Sequence, residues 1–138
     1  MRSLDKFKGS MIGGAVGDAL GYAVEFLREG QIFRKYGESG ITGYELTGGI
    51  AQISDDTQMT LFTANGLLLG MTRGMTRGVG GPDPFYIGLC YRDWLKTQES
   101  KYPPKEGPSY AWLGNIPVLY SPRAPGNTCL KLGRANSL

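Results

Sequence analysis

Gly9, Gly13, Gly17 and Gly21 recur every fourth residue in the first stretch of the chain. On a helix that interval makes one ridge. Ser3 is placed to cap such a helix, with Asp5 in its first turn, and the helix is predicted over Leu4–Ala23. A glycine inside a helix costs about 1 kcal/mol relative to alanine. Four on one ridge therefore predict a compensation, the close approach of another backbone or of a ligand, and helix–helix contact is the expectation for Gly9 and Gly13. Asp5, Lys6, Lys8 and Asp18 argue against a lipid-facing role. The spacing is not that of a dinucleotide-binding glycine loop, and no strand precedes it.

A second helical pattern starts at Ser54-Asp55-Asp56-Thr57-Gln58-Met59 and runs on through Phe62, Thr63, Gly66 and Leu69, ending near Gly70. Ser54 is a natural N-cap, and both acids fall in the first turn. Two readings stand side by side. The acids complement the helix dipole, or, with the Ser54 hydroxyl, they supply oxygen ligands to a hard cation such as Mg²⁺ or Ca²⁺. Asp18 interrupts the apolar run from Met11 to Val16 and needs a partner if buried. Glu25, between Val24 and Phe26, is a candidate for a raised pKa; the plainer reading is an ordinary glutamate on an exposed helix end.

Between these motifs the sequence predicts a short helix over Gly30–Tyr36, stopped by Gly37, and an extended loop over Gly37–Ile53 with room for a brief strand pair. The repeated Met71-Thr72-Arg73-Gly74 and Met75-Thr76-Arg77-Gly78 reads as a flexible surface loop. Asp83 and Pro84 open a helix over Pro84–Gln98 with an apolar stripe at Ile87, Cys90, Tyr91, Trp94 and Leu95. A loop follows to Gly114, then a turn of helix near Ile116–Tyr120. Arg123-Ala124-Pro125-Gly126-Asn127-Thr128 leads into a last helix. Its first amides, with Arg123, are candidates to hold an anion; the alternative is a proline-fixed turn with an exposed arginine.

The chain has 138 residues, a net charge of +3 and no histidine. A Ser-His-Asp or Cys-His centre and a histidine-bearing zinc site are thereby excluded within it. Charge is too balanced to argue for nucleic acid. Cys90 and Cys129 fit no CxxC pattern, and a cytoplasmic setting is expected. No apolar run is long enough to span a bilayer, so no membrane association is expected.

Taken together, Gly13-Gly14-Ala15-Val16-Gly17-Asp18-Ala19-Leu20-Gly21 with Glu25, then Ser54–Met59, then Arg123–Thr128, resemble the motifs of the ADP-ribosylglycohydrolase family. The resemblance implies an all-α fold, an orthogonal helical bundle of that type. It implies that residues 1–138 are the N-terminal part of one such domain, truncated here. The implied activity is hydrolysis releasing ADP-ribose from a modified side chain or small molecule, assisted by Mg²⁺ or Mn²⁺. Two cations are implied for the family, and the residues of this chain support at most one. By resemblance Ser54, Asp55 and Asp56 are metal ligands, Glu25 is the catalytic acid or base, and Asp18, Arg123, Gly126, Asn127 and Thr128 contact substrate. The family's downstream Asp-x-Asp-Thr motif is absent, and no acidic residue follows Glu106. The rival expectations are a non-catalytic module that binds ADP-ribose or another nucleotide, and an inactive fragment.

Overall fold

A computed structural model describes residues 3–81, 83–105, 107 and 109–135. They form two compact units, Met1–Thr57 and Gln58–Leu138. The architecture is all-α: five α-helices and one two-stranded hairpin among the described residues.

In the first unit, α1 spans Leu4–Gly21. Ser3 Oγ accepts from the Lys6 amide at 3.3 Å, the expected N-cap. The helix closes two residues before the predicted Ala23, and residues 22–26 continue as turns. The predicted ridge contact is not made. Gly9, Gly13, Gly17 and Gly21 are exposed, and a Cβ added at any of them meets nothing within 4 Å. A four-residue row of glycines permits close helix packing without requiring it, and this row stays open. Leu4, Phe7, Ile12 and Val16 are exposed as well, and Ala19 is the buried residue of this helix.

Helix α2, Glu29–Tyr36, is the short helix expected near Gly30. Gln31 Oε1 accepts from the Arg28 amide at 2.8 Å at its start, and Gly37, at φ +83°, ends it. The strands β1, Leu46–Thr47, and β2, Ile50–Ala51, pair antiparallel around Gly48-Gly49. Both glycines take positive φ, as a tight hairpin turn of this length requires.

Helix α3, Asp55–Arg77, starts in the first unit and continues into the second. It runs straight through the Met71–Arg77 repeat that the glycines suggested was a loop. Methionine and arginine are strong helix formers, and the repeat places only one glycine per turn. Thr76 Oγ1 donates to the Thr72 carbonyl at 2.7 Å, inside the helix. The stop comes at Gly78, φ +63°, whose amide bonds the Gly74 carbonyl.

Helix α4, Asp83–Glu99, matches the expected one; the capping side chain assigned to Asp83 lies outside the described residues. The core of this unit is Phe62 from α3, Cys90, Trp94 and Leu95 from α4, and Ala111 and Leu119 from the segment that follows. Close backbone approach does occur here. A Cβ on Gly66 would lie 2.6 Å from Ile87 Cα, and one on Gly70 would lie 2.7 Å from the Tyr86 ring. Helix α5, Asn127–Ala135, meets α4 the same way, with Gly133 against Leu95 and the Tyr91 carbonyl.

The long loop after α4 is tied down by Asp93, whose side chain is 1% exposed. Its Oδ2 accepts the amides of Tyr110 and Ala111, and its Oδ1 takes Lys96 Nζ at 3.0 Å. Two 3₁₀ turns, Trp112–Asn115 and Pro117–Leu119, then lead to the final helix.

Candidate functional site

The first unit gathers the acidic residues. Asp18, three residues before the end of α1, directs a single carboxylate oxygen at the start of α3. Its Oδ2 accepts the Ser54 amide at 2.9 Å, the Thr57 amide at 3.3 Å, and the Thr57 hydroxyl in a very short bond. These are charge-assisted bonds from groups that a helix start leaves without partners. The partner that the half-buried Asp18 was expected to need is therefore the α3 N-terminus.

Ser54 performs its capping role: Oγ accepts the Asp56 amide at 3.1 Å. A hydroxyl oxygen carries two lone pairs, so one remains for another donor or a cation. Asp55 is buried at 6% exposure, whereas Asp56 faces solvent.

Glu25, on the turn after α1, is exposed, yet its carboxyl pKa is raised. Partial desolvation is the largest cause, followed by the negative charges of Asp55, Asp56 and Asp18. The four acids thus share one electrostatic neighbourhood. Chemically, the group offers an all-oxygen donor set, suited to a hard divalent cation, and a glutamate with an elevated proton affinity. The set is open: among the described residues no three His, Cys, Asp or Glu side chains converge tightly enough to make a cation cage.

The second unit contains Arg123, Gly126, Asn127 and Thr128 in one turn. Ala124 there takes φ +56°, a conformation that disfavours a side chain. The Gly126 carbonyl accepts the Leu130 amide at 3.1 Å, so Gly126 stands at the N-cap of α5. Asn127 and Thr128 are its first residues and are exposed. The Arg123 backbone amide donates to Gln98 Oε1 at 3.2 Å.

Three residues at these places had no role in the sequence reading. Thr57 supplies both an amide and a hydroxyl to Asp18, and Gln58 and Gln98 are buried beside Trp94. For Gln58 the sequence did hold a signal, a polar amide next to Met59 where the helical stripe turns inward.

The sequence profile of the ADP-ribosylglycohydrolase family matches residues 1–136. A curated relative, the ADP-ribosyl-[dinitrogen reductase] glycohydrolase of Rhodospirillum rubrum, is 43% identical over 63 residues, covering 41% of this chain and 20% of that protein. The chain thus matches about a fifth of the length of that relative. No solved structure matches the chain.

Proposed function

The chain belongs to the ADP-ribosylglycohydrolase family, and we propose that it takes part in releasing ADP-ribose from a modified side chain or small molecule. The observation that carries the reading is the family match over residues 1–136, together with Asp18 bonded to the start of α3 beside Asp55 and Asp56. Cleavage at ribose C1″ sends the bonding electrons to the leaving atom, which needs a proton, while the water that adds to C1″ gives one up. Glu25, with its elevated proton affinity, makes both transfers in turn. Asp55, Asp56 and the Ser54 hydroxyl are the residues that would hold Mg²⁺ or Mn²⁺, with water completing the coordination. Their oxygen-only chemistry fits such an ion, which when bound supplies positive charge to orient hydroxyls and polarise a water. Asp18 acts as an orienting group, because its Oδ2 is engaged by Ser54 and Thr57. In the second unit, taken by itself, the turn at Arg123, Gly126, Asn127 and Thr128 is suited to an anion such as a phosphate of ADP-ribose: the guanidinium and the first amides of α5 present positive charge and donors.

The test is release of ADP-ribose from an ADP-ribosylated protein by the purified chain, with millimolar Mg²⁺ or Mn²⁺. The expected result is turnover that Glu25→Gln reduces at least a hundredfold, consistent with loss of a proton-transfer group. Binding of ADP-ribose without turnover would favour the non-catalytic module instead. In parallel, Mn²⁺ should raise the melting temperature of the wild type, and Asp55→Asn with Asp56→Asn should remove that rise. Equal shifts in both proteins would refute the metal assignment.

A further inference from the structure

A buried run of side-chain amides in the second unit points at the turn that precedes α5. Gln58 is 1% exposed, Trp94 and Thr97 are fully buried, and Gln98 is 9% exposed. Gln58 Oε1 receives Trp94 Nε1 at 3.2 Å and Gln98 Nε2 at 2.8 Å. Gln98 Nε2 also reaches Thr97 Oγ1 at 2.8 Å, and that hydroxyl donates to the Trp94 carbonyl at 2.6 Å. Gln98 Oε1 receives the backbone amide of Arg123 at 3.2 Å. At the other end, Gln58 Nε2 faces the carbonyls of Leu119 and Ser121 in longer contacts of 3.5 and 3.4 Å.

The direction of this run is imposed by its ends. An indole N–H and a backbone N–H can only donate, and a backbone carbonyl can only accept. Gln58 must therefore turn its oxygen to Trp94 and its nitrogen to the carbonyls. Gln98 must turn its oxygen to Arg123, which leaves its nitrogen for Gln58. Each orientation agrees with the next, so a single arrangement satisfies every buried group. Such a network is rigid because any flip strands a buried donor or acceptor.

We infer that Gln58 and Gln98 are positioning residues, forming a directional amide relay that holds residues 119–123 and so sets the backbone of the Arg123–Thr128 turn. The turn needs holding, since Ala124 occupies a left-handed conformation without the freedom of glycine. Neither glutamine touches the anion; each acts through the backbone that presents it. The consequence for ligand binding rests on the proposed role of that turn, whereas the consequence for the free protein does not.

The experiment compares the full chain with Gln98→Met, which conserves volume and removes both ends of the link, and with Gln98→Glu, which keeps an oxygen for Arg123. Backbone hydrogen exchange and the Trp94 indole resonance are read first, without ligand. The relay predicts at least tenfold faster exchange of the Arg123 amide in Gln98→Met, with Phe62 and Cys90 amides unchanged. In Gln98→Glu, Arg123 should stay within about threefold of wild type while the Trp94 indole signal moves. Should Gln98→Met fail to fold, loss of Arg123 protection in Gln98→Glu equal to that of its neighbours would overturn the relay. Equal Arg123 exchange in wild type and Gln98→Met would overturn it as well. ADP-ribose is then titrated, and a Kd at least fivefold weaker in Gln98→Met is expected. If wild-type amides of Gly126–Thr128 do not respond to ADP-ribose, the ligand assigned to the turn is wrong, and the relay is judged on exchange alone.

Discussion

Alanine at Gly66 and at Gly13 should have opposite effects on stability, although both positions are glycines inside helices. At Gly66 the new Cβ would sit 2.6 Å from Ile87 Cα, 2.9 Å from Ile87 N and 3.0 Å from the Tyr86 carbonyl oxygen. Carbon atoms in contact prefer about 3.5–4.0 Å, so α3 and α4 would have to part by about 1 Å. All three obstructing atoms belong to the backbone, so no rotamer change relieves the clash. Overpacking of this kind costs about 1–3 kcal/mol, and the upper end applies here; the better helix propensity of alanine returns about 1 kcal/mol. The expected net loss for Gly66→Ala is about 2 kcal/mol. At Gly13 nothing lies within 4 Å, so only the propensity term acts, a gain of up to about 1 kcal/mol. Far-ultraviolet circular dichroism during heating or urea denaturation reports both. At about 4 °C per kcal/mol for a chain of this size, Gly66→Ala should melt about 8 °C lower and Gly13→Ala about 4 °C higher. An unchanged Gly66→Ala midpoint would refute the tight α3–α4 approach, and a destabilised Gly13→Ala would mean that the α1 face is covered.

Replacing Asp18 by alanine strands the Ser54 and Thr57 amides and should cost about 2–3 kcal/mol in urea denaturation, with Asp18→Asn retaining part of this through its remaining oxygen. Glu25 should titrate above an ordinary glutamate by carboxyl ¹³C NMR. Asp55→Asn with Asp56→Asn should lower its midpoint without normalising it, because partial desolvation, the larger cause, persists. Since Glu25 holds its proton more tightly folded than unfolded, its contribution to stability declines as pH rises from its usual value through the raised one. The Cys90 thiol, pushed up to about 12 by burial and then by the Asp93 charge, should resist a thiol reagent at pH 8 until the chain unfolds, leaving the half-buried Cys129 to react first.

What could be read in the sequence divides by the range of the interaction. The caps at Ser3 and Ser54 are local features, as are the stop at Gly37 and the apolar stripe around Trp94, and the structure contains all of them. Glycine was the difficult residue. Its spacing suggested a packed ridge on α1 and a loop at Met71–Gly78, whereas α1 is open and α3 continues through the repeat. A missing side chain records permission for close approach without saying where an approach occurs; Gly66, Gly70 and Gly133 carry the same letter and are among those that touch. The acids of the candidate site were each visible as residues. Their grouping was implied only by the family resemblance, because it depends on bonds between positions 18 and 54–57 that no local pattern encodes. The amide pair of Gln58 and Gln98, 40 residues apart, escaped for the same reason.

The bond from Asp18 to Ser54 has a topological consequence. It closes a loop across 36 positions with one carboxylate oxygen. Glu25 lies inside that loop, and Asp55 and Asp56 lie just beyond its closing point. Their separation is therefore governed by a clasp to which neither Glu25 nor Asp56 contributes a side chain. Opening the clasp would release α2 and the hairpin together, and the entropy regained would be that of the whole loop rather than of one residue. A mild substitution at Asp18 should then scatter Glu25, Asp55 and Asp56 while leaving those three chemically intact.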